Sequence, residues 1–267
     1  MSIVYGPVPS WRLGRSLGID LLPGRGKICC FDCVYCQLGV TTNPTSERAE
    51  FVKLDDLARE LAAVKGVPAD HVTFSGTGEP TLAANLGRAM DVARQELGLP
   101  VAVLTNSALI SREDVREELA KADIVVAKLD APDERLLRLI NRPLGSITLE
   151  GIVGGLRRFR SGYRGKLALQ MMFMPENKNA APEMARIAAR LDPDEVQINT
   201  PLRPCAVAPL SAKEIAAICE SFAGLNVHAV YEAVRPEVEP IDARETLRRR
   251  PGAVGEPEAF PDYPKRG

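Results

Sequence analysis

The chain has 267 residues, of which 45% are apolar and 26% charged, and its formal net charge is −1. This composition is ordinary for a globular protein with a sizeable core, and it excludes a molecule that is basic over its whole surface. The N-terminus lacks the basic and apolar regions of a secretory signal, and no window reaches the roughly 18 apolar residues of a membrane span. We therefore expect a cytoplasmic protein with no membrane partner.

Short apolar runs, most of them rich in β-branched residues, predict strands in chain order. They cover residues 17–22, 71–75, 101–105, 123–130, 167–174, 195–200 and 226–232. Segments with helical spacing lie between them, at residues 53–65, 85–97, 111–122, 148–160, 181–191 and 211–224. Two helices have start signals: Ser111 is a candidate N-cap, and Ser211 stands three residues before Glu214 as in a capping box.

Strands that alternate with helices predict a parallel sheet. A full eight-unit barrel takes about 250 residues, and here the first loop is long and the C-terminal part irregular. We therefore expect an α/β fold, a partial (β/α)6-type TIM barrel with parallel strands, over residues 1–234. The lead-in YGPVPSWRLG is expected to pack on a helix. The alternative is that it reaches towards the substrate opening, where Arg12 and Arg15 would meet an anion. Residues 235–267 are expected to form an irregular tail with one short helix.

Four of the six cysteines lie within eight residues, in the run GKICCFDCVYC. Thiols stay reduced in the cytoplasm, so a disulfide framework is disfavoured. Cys29, Cys33 and Cys36 form a CxxxCxxC set just after the first predicted strand, at the face where α/β barrels carry their chemistry. Cys30 is expected to be a spectator, because adjacent cysteines do not easily point at one metal.

The spacing leaves three interpretations of these thiols open. A structural zinc site usually has four ligands in two separated pairs, and no second Cys or His pair follows at that distance. A redox dithiol would use Cys33 and Cys36 and leave Cys29 without a role. An iron–sulfur cluster with one iron open to a further ligand would use all three thiolates.

The sequence resembles the radical S-adenosylmethionine (SAM) enzymes at three strand ends. CCFDCVYC matches the signature CxxxCxΦC, with Tyr35 as the aromatic residue. FSGTGEPT matches the GGEP-like turn after the second strand at residues 78–80, with Thr77 in place of the first glycine. TNS at residues 105–107 is similar to the Thr-Asn-Gly that follows the next strand in many members.

The resemblance implies that Cys29, Cys33 and Cys36 are the catalytic and metal-binding residues. They would hold a [4Fe-4S] cluster whose fourth iron binds SAM, at the C-terminal face of the strands. Such enzymes cleave SAM to a 5′-deoxyadenosyl radical that abstracts hydrogen. The electron would come from a reductant protein such as flavodoxin or ferredoxin.

The same resemblance assigns SAM contacts to seven further residues. Gly78 and Glu79 would bind the methionine ammonium, and Tyr35 and Asn199 would lie near the adenine. Asn106, Lys128 and Asp130 are candidates for the ribose hydroxyls and the carboxylate. For Lys128 an ion pair with Asp130 is the alternative role.

Longer strings, among them SGTGEPTL, KLDAPDE and INTPLRP, are similar to the branch that contains the tRNA wyosine synthases and their uncharacterised relatives. Those synthases carry further cysteines upstream of the signature, whereas none precedes Cys29 here. We expect a radical SAM enzyme, with a tRNA base as the favoured substrate. The alternatives are an activase or modifier of a protein or peptide, and a non-catalytic iron–sulfur or zinc module.

Basic segments at residues 157–166 and 248–250 are candidates for phosphate contacts, with a solvated helix face as the blander interpretation. Cys205, after the sixth predicted strand, is either a core residue or a thiol on the substrate side.

Overall fold

The structure is a computed structural model, and it describes residues 1–24 and 26–251. Its strands are β1 (Val4–Ser10), β2 (Gly14–Ile19), β3 (Ile28–Cys29), β4 (Asn43–Pro44), β5 (His71–Phe74), β6 (Val101–Thr105), β7 (Ile124–Lys128), β8 (Lys166–Met172), β9 (Glu195–Asn199) and β10 (Val227–Ala229). Its helices are α1 (Leu54–Ala63), α2 (Leu86–Leu97), α3 (Glu113–Leu119), α4 (Glu134–Ile140), α5 (Leu149–Gly162), α6 (Ala181–Leu191), α7 (Ala212–Glu220) and α8 (Ala243–Arg249). Two short 3-10 turns cover Pro80–Leu82 and Lys178–Ala180.

One curled sheet organises the described residues, in the order β1-β2-β5-β6-β7-β8-β9-β10. Its neighbours are parallel from β2 to β10, and β1 pairs antiparallel with β2. Because β1 and β10 end the order, the sheet is a half-barrel with an open side. The predicted partial TIM barrel is confirmed.

Alternation along the strands separates two faces of the sheet. Leu17 and Leu169 are buried and belong to the apolar core beneath the helices. Ser16 and Thr73 lie on the other face, where their hydroxyls are 2.7 Å apart. Successive strand side chains point to opposite faces, so these two hydroxyls lie on the inner face of the half-barrel.

The first strand is a feature that the sequence pattern did not predict. The lead-in forms β1, which packs on α8 as expected, because Gly6 N donates to Thr246 Oγ1 of that helix at 3.1 Å. The Tyr5 hydroxyl lies 2.8 Å from Ser75 Oγ, just after β5. Pro7 and Pro9 cannot donate to a ladder, but an edge strand leaves one side of its backbone unpaired. The two prolines therefore disfavoured a strand prediction, although a strand at the edge of the sheet tolerates them.

Two of the helix predictions need correction. Ser111 does not cap α3, because the helix begins after Arg112 and that residue makes no side-chain cap. Helix α4 was not predicted; Asp133 caps it by accepting a hydrogen bond from Leu136 N at 2.7 Å. The capping box of Ser211 and Glu214 at α7 is confirmed.

The C-terminal part contains α8, which lies against β1 through a buried arginine. Arg249 Nε donates to Asp20 at 2.9 Å, and its guanidinium lies 5.0 Å over the Tyr5 ring. Residues 252–267, the rest of the predicted tail, lie outside the described residues. Within the part that the structure describes, no helix has the length and apolarity to cross a membrane.

Candidate active site

The cysteine loop, residues 27–39, follows β2 and lies at the carboxyl end of the sheet. Its first residues pair as β3 with β4, with Cys29 opposite Pro44. Its middle is fixed to the segment after α4, because Val34 N donates to Ile140 O at 2.9 Å and Leu144 N to Cys30 O at 3.0 Å. The loop therefore has a defined backbone path even though it contains little regular structure.

Gly78, in the turn that follows β5, is the residue that contacts the cysteine loop. Ile28 forms a parallel bridge with Gly78, and Glu79 N donates to Ile28 O at 3.1 Å. A Cβ on Gly78 would stand 2.1 Å from that carbonyl oxygen, so a glycine is required for this close approach. The GEP turn thus positions the thiols as well as its own carboxylate.

Lys27 is a buried ammonium group beside the thiols. Its Nζ has no hydrogen-bond partner among the described residues, and the side chain is 5% exposed. Burial lowers the pKa of Lys27, but the charges of Cys36, Cys29 and Cys33 outweigh this effect and the pKa is raised. All three signature thiols are therefore close enough to act on one buried cation.

Cys29 and Cys30 have different environments despite being adjacent. A hydrogen bond from Cys30 lowers the pKa of Cys29 and raises that of Cys30. Asn106 Nδ2 lies 3.4 Å from Cys29 Sγ and 3.3 Å from Cys30 Sγ. Cys29 is thus favoured as the thiolate of the pair. Burial raises the pKa of Cys33 to about 12.

Glu79 is buried and held by neighbouring donors. Its Oε1 accepts from the hydroxyls of Thr81 and Thr105, both at 2.7 Å, and its Oε2 accepts from Asn106 N at 2.7 Å. Burial raises its pKa while these hydrogen bonds oppose the rise. Since each carboxylate oxygen has two lone pairs, Oε2 keeps an acceptor site for a cation.

The other side of the loop is a network around Asp130. The Tyr35 hydroxyl donates to Asp130 Oδ2, and Asn141 Nδ2 donates to the same oxygen at 2.8 Å. Lys128 Nζ lies 3.8 Å from Asp130 and 4.2 Å from the centre of the Tyr35 ring. Burial, followed by the charge of Asp130, raises the pKa of Tyr35 well above its usual range. The structure therefore contains the ion pair that was the alternative role for Lys128.

The structure brings most of the predicted site residues together. Some of these residues belong to the cysteine loop, and the others lie beside it at the ends of β5, β6 and β7. They are the three cysteines, Tyr35, Gly78, Glu79, Asn106, Lys128 and Asp130. Asn199 is separate, at the end of β9, where its side chain accepts from Thr200 N at 2.9 Å. Sequence reasoning missed Lys27 and Asn141, although GKICC and INRP contain them. Asn141 also donates to Cys33 Sγ at 3.4 Å.

The donor set fits an iron–sulfur cluster better than a single metal ion. The three thiols act electrostatically on one buried cation, which would offset part of the negative charge of a thiolate-bound cluster. In the described ranges, no three His, Cys, Asp or Glu side chains are gathered closely enough to hold one ion. Each thiolate of a cluster binds a different iron, so the thiols need not converge on one point.

This fold, with a cysteine loop at the carboxyl end of a parallel half-barrel, defines a radical SAM enzyme. A scan against protein-family models matches residues 25–188 to the Radical SAM superfamily, and the chain belongs to that superfamily. SAM and an iron–sulfur cluster are the cofactors that this membership implies.

Several relatives carry the name UPF0026 protein. The chain is 38% identical to one from Methanocaldococcus jannaschii over 85% of this chain and 72% of the relative. It is 43% identical to one from Synechocystis over 75% of this chain and 76% of the relative. The similarity therefore extends over most of each relative.

Solved structures share the fold at low identity. Streptococcus suis SuiB bound to S-adenosylmethionine superposes with a TM-score of 0.61 at 15% identity, over 81% of this chain and 50% of that one. Archaeal TYW1 gives 0.55 at 15% identity, over 79% and 72%. anSMEcpe with bound AdoMet gives 0.59 at 16% identity, over 81% and 64%. The chain spans about half the length of SuiB.

Proposed function

We propose that the chain binds a [4Fe-4S] cluster through Cys29, Cys33 and Cys36 and cleaves SAM to abstract hydrogen from a substrate. The observation that carries this proposal is the arrangement of the three thiols around buried Lys27, beside the GEP turn. When bound, the reduced cluster supplies the electron that splits SAM into methionine and a 5′-deoxyadenosyl radical. A flavodoxin or ferredoxin is the class of donor we expect.

The protein groups around the loop would bind and orient SAM. Glu79 Oε2 has the free acceptor site that suits the methionine ammonium, and Gly78 lies beside it. Lys128 and Asp130 offer a cation and a carboxylate at the end of β7 for the carboxylate and ribose of SAM. Tyr35 and Asn106 line the same space, and Asn199 would approach the adenine from β9. Tyr35, Glu79 and Asp130 are buried, which would help to exclude water from the reacting atoms.

A tRNA base is the substrate we favour, and a peptide or protein is the second candidate. The strings that resemble the tRNA wyosine synthase branch support a tRNA base, and archaeal TYW1 is among the similar structures. SuiB has been solved with its precursor peptide SuiA, and anSMEcpe with a Cp18Cys peptide, which supports the second candidate. Superfamily membership argues against a module that only binds metal.

The experiment is anaerobic reconstitution with iron and sulfide, followed by SAM, dithionite and detection of 5′-deoxyadenosine by mass spectrometry. A variant with Cys29, Cys33 and Cys36 all changed to Ala should give none. Cys219→Ala, at a half-buried cysteine on α7, is the matched control and should retain cleavage. Equal product from the triple variant would refute the proposal.

The substrate is tested in the same assay by adding either unmodified tRNA or a mixed peptide pool. An increase in 5′-deoxyadenosine with tRNA alone supports the favoured substrate, and an increase with peptides alone supports the second. Because abstraction consumes the radical, deuterium transfer from labelled substrate into 5′-deoxyadenosine identifies the true one.

A further inference from the structure

Four arginines from distant parts of the chain are near enough for their charges to act on one another. This arginine cluster consists of Arg12 between β1 and β2, Arg203 after β9, Arg235 after β10 and Arg250 after α8. Burial, with the charges of Arg250 and Arg235, lowers the pKa of Arg12 to about 9. Burial and the same charges, together with that of Arg12, lower the pKa of Arg203 to about 9. These groups act on one another although β1 and β9 lie near opposite edges of the sheet.

The arginine cluster lacks acidic partners within the chain segments that the structure describes. Ion pairs there involve other arginines, such as Arg249 with Asp20 and Arg160 with Asp194, and none of these four. Glu195 acts on Arg12, but it pairs with Lys166 and accepts from Gln197 Nε2 at 2.7 Å. Three of the four arginines are half-buried and Arg235 is exposed. Like charges held near one another without counterions repel, so the cluster suits a ligand that brings negative charge.

Arg12 gives the cluster an orphaned donor. Its Nε is buried and has no hydrogen-bond partner within the described ranges. Its guanidinium lies over the Trp11 ring, 5.0 Å from the ring centre. Because the ring contacts the face of the planar guanidinium, the N–H groups, which point outward in its plane, are available to a ligand. Buried donors are rarely left unpaired, so a missing acceptor is expected here.

The cluster also adjoins the proposed radical site. Arg203 Nη1 donates to Gln37 Oε1 at 2.9 Å, and Gln37 directly follows Cys36. Arg250 Nη2 donates to Ser75 Oγ at 2.9 Å, and Ser75 lies three residues before Gly78. An anion bound between these side chains would stand next to the cysteine loop.

We propose that the arginine cluster binds a phosphate-bearing part of the substrate and so holds the rest of that substrate over the cysteine loop. This inference rests on the proposed function for the chemistry after binding, but binding itself does not require SAM cleavage. Four guanidinium groups need more than one negative charge for neutrality, which favours phosphate over a single carboxylate. Guanidinium forks match phosphate oxygens in pairs.

Trp11 provides a direct readout, because it is the single tryptophan of the chain and lies against Arg12. We expect inorganic pyrophosphate to change its fluorescence in a saturable way, and sodium chloride at equal ionic strength to leave it unchanged. Arg203→Gln and Arg250→Gln should weaken pyrophosphate binding about tenfold or more each. Arg190→Gln, at an exposed arginine on α6, removes the same charge elsewhere and should bind as the parent does.

A linear response that chloride reproduces, or equal affinity in all three variants, would overturn the proposal. Circular dichroism confirms that each variant is folded, so a loss of binding is not a loss of structure. The affinities of a nucleoside monophosphate and of a short single-stranded RNA are then compared in the same titration. The ligand that binds more tightly identifies the source of the phosphate. All titrations are done without reductant and measure binding alone. A failure of SAM cleavage would therefore not change whether phosphate binding is observed.

Discussion

Lys27 is expected to stabilise the protein when the cluster is bound and to destabilise it when the cluster is absent. Its ammonium group is buried, and the negative groups that act on it are thiolates. A buried charge without a partner is costly, and an isosteric apolar side chain is often tolerated or stabilising in its place. The residue therefore makes sense where the thiols carry negative charge, as they do when bound to iron.

We predict that Lys27→Met lowers cluster retention without lowering the stability of the apoprotein. The free energy of unfolding of the apoprotein in urea should be unchanged or higher by about 1 kcal/mol. Iron retained after anaerobic gel filtration should fall severalfold. Lys53→Met, at an exposed lysine before α1, is the control and should change neither quantity. Loss of apoprotein stability together with full iron retention would show that Lys27 has a structural role alone.

Gly78→Ala tests whether the GEP turn also supports the thiols. The added Cβ would lie 2.1 Å from the Ile28 carbonyl oxygen, so β3 must move away from β5. We expect a loss of about 1–3 kcal/mol in the free energy of unfolding, and a larger proportional loss of bound iron. Gly145→Ala is the control, because a Cβ there meets nothing within 4 Å. Full iron content in Gly78→Ala would contradict this role.

The sequence signatures identified site residues that lie within local motifs. They missed residues that reach the site only through contacts between distant parts of the chain. Tyr35 and Glu79 stand within recognisable strings, and the structure places them beside the cysteine loop. Asn141 reaches Asp130 and Cys33 only because the segment after α4 pairs with the loop backbone. No local pattern encodes that long-range contact.

At the scale of elements, α8 is attached to the barrel by the buried guanidinium of Arg249. Besides Asp20, it donates to Glu245 Oε2 at 2.7 Å and to the carbonyl of Ser2. The basic run 248–250 was a candidate for phosphate contacts from the sequence. For Arg249 the structure corrects this, because a fully buried side chain is not available to a phosphate.

Arg249→Met should therefore destabilise the protein by about 3–5 kcal/mol, because it leaves the Asp20 carboxylate buried without its cation. Chemical denaturation measures this. Arg248→Met is the matched control on the same helix; its side chain is exposed, and we expect a change below about 0.5 kcal/mol. If both variants unfold alike, α8 is held by its apolar contacts and not by the buried pair.

Period and turn chemistry were sufficient to predict the central elements. Most of the parallel strands from β2 to β10 contain β-branched apolar runs between turn residues, and the structure has a strand at each predicted run. Strand β1 was missed because its prolines are tolerated at a sheet edge that only the topology reveals. Helix α4 was missed because its start signal, the Asp133 cap, was not recognised in the sequence.

At the scale of the whole molecule, a net charge of −1 conceals a strong local separation of charge. Among the described residues the arginine cluster has no acidic partners, whereas many surface carboxylates are paired, such as Asp70 with Arg15 and Glu214 with Lys178. The near-neutral total excludes a molecule that is basic over its whole surface, but local fields at a cleft determine ligand choice more directly than net charge. The same paired carboxylates determine how the fold responds to acid.

Acid stability is the last property that these pairs predict. Hydrogen bonds from Arg15 lower the pKa of Asp70 to about 2, and the hydrogen bond from Lys178 lowers that of Glu214 to about 2. A folded-state pKa below the unfolded value means that the folded state binds fewer protons, so this stability is complete above the unfolded pKa. It is lost as the pH falls through the folded pKa, and the thermal midpoint should decline between about pH 5 and pH 2.

The variant that isolates this effect is the double substitution Asp70→Asn and Glu214→Gln. Its midpoint should be lower than that of the parent at pH 7 and should change less from pH 5 downward, because the two groups no longer titrate. Asp192→Asn, at a carboxylate whose side chain is 90% exposed, is the control and should keep the parent slope. Each pair contributes little energy because solvent screens it, so the slope of the midpoint against pH is the decisive quantity. Parallel curves for the double variant and the parent would assign acid unfolding to other carboxylates.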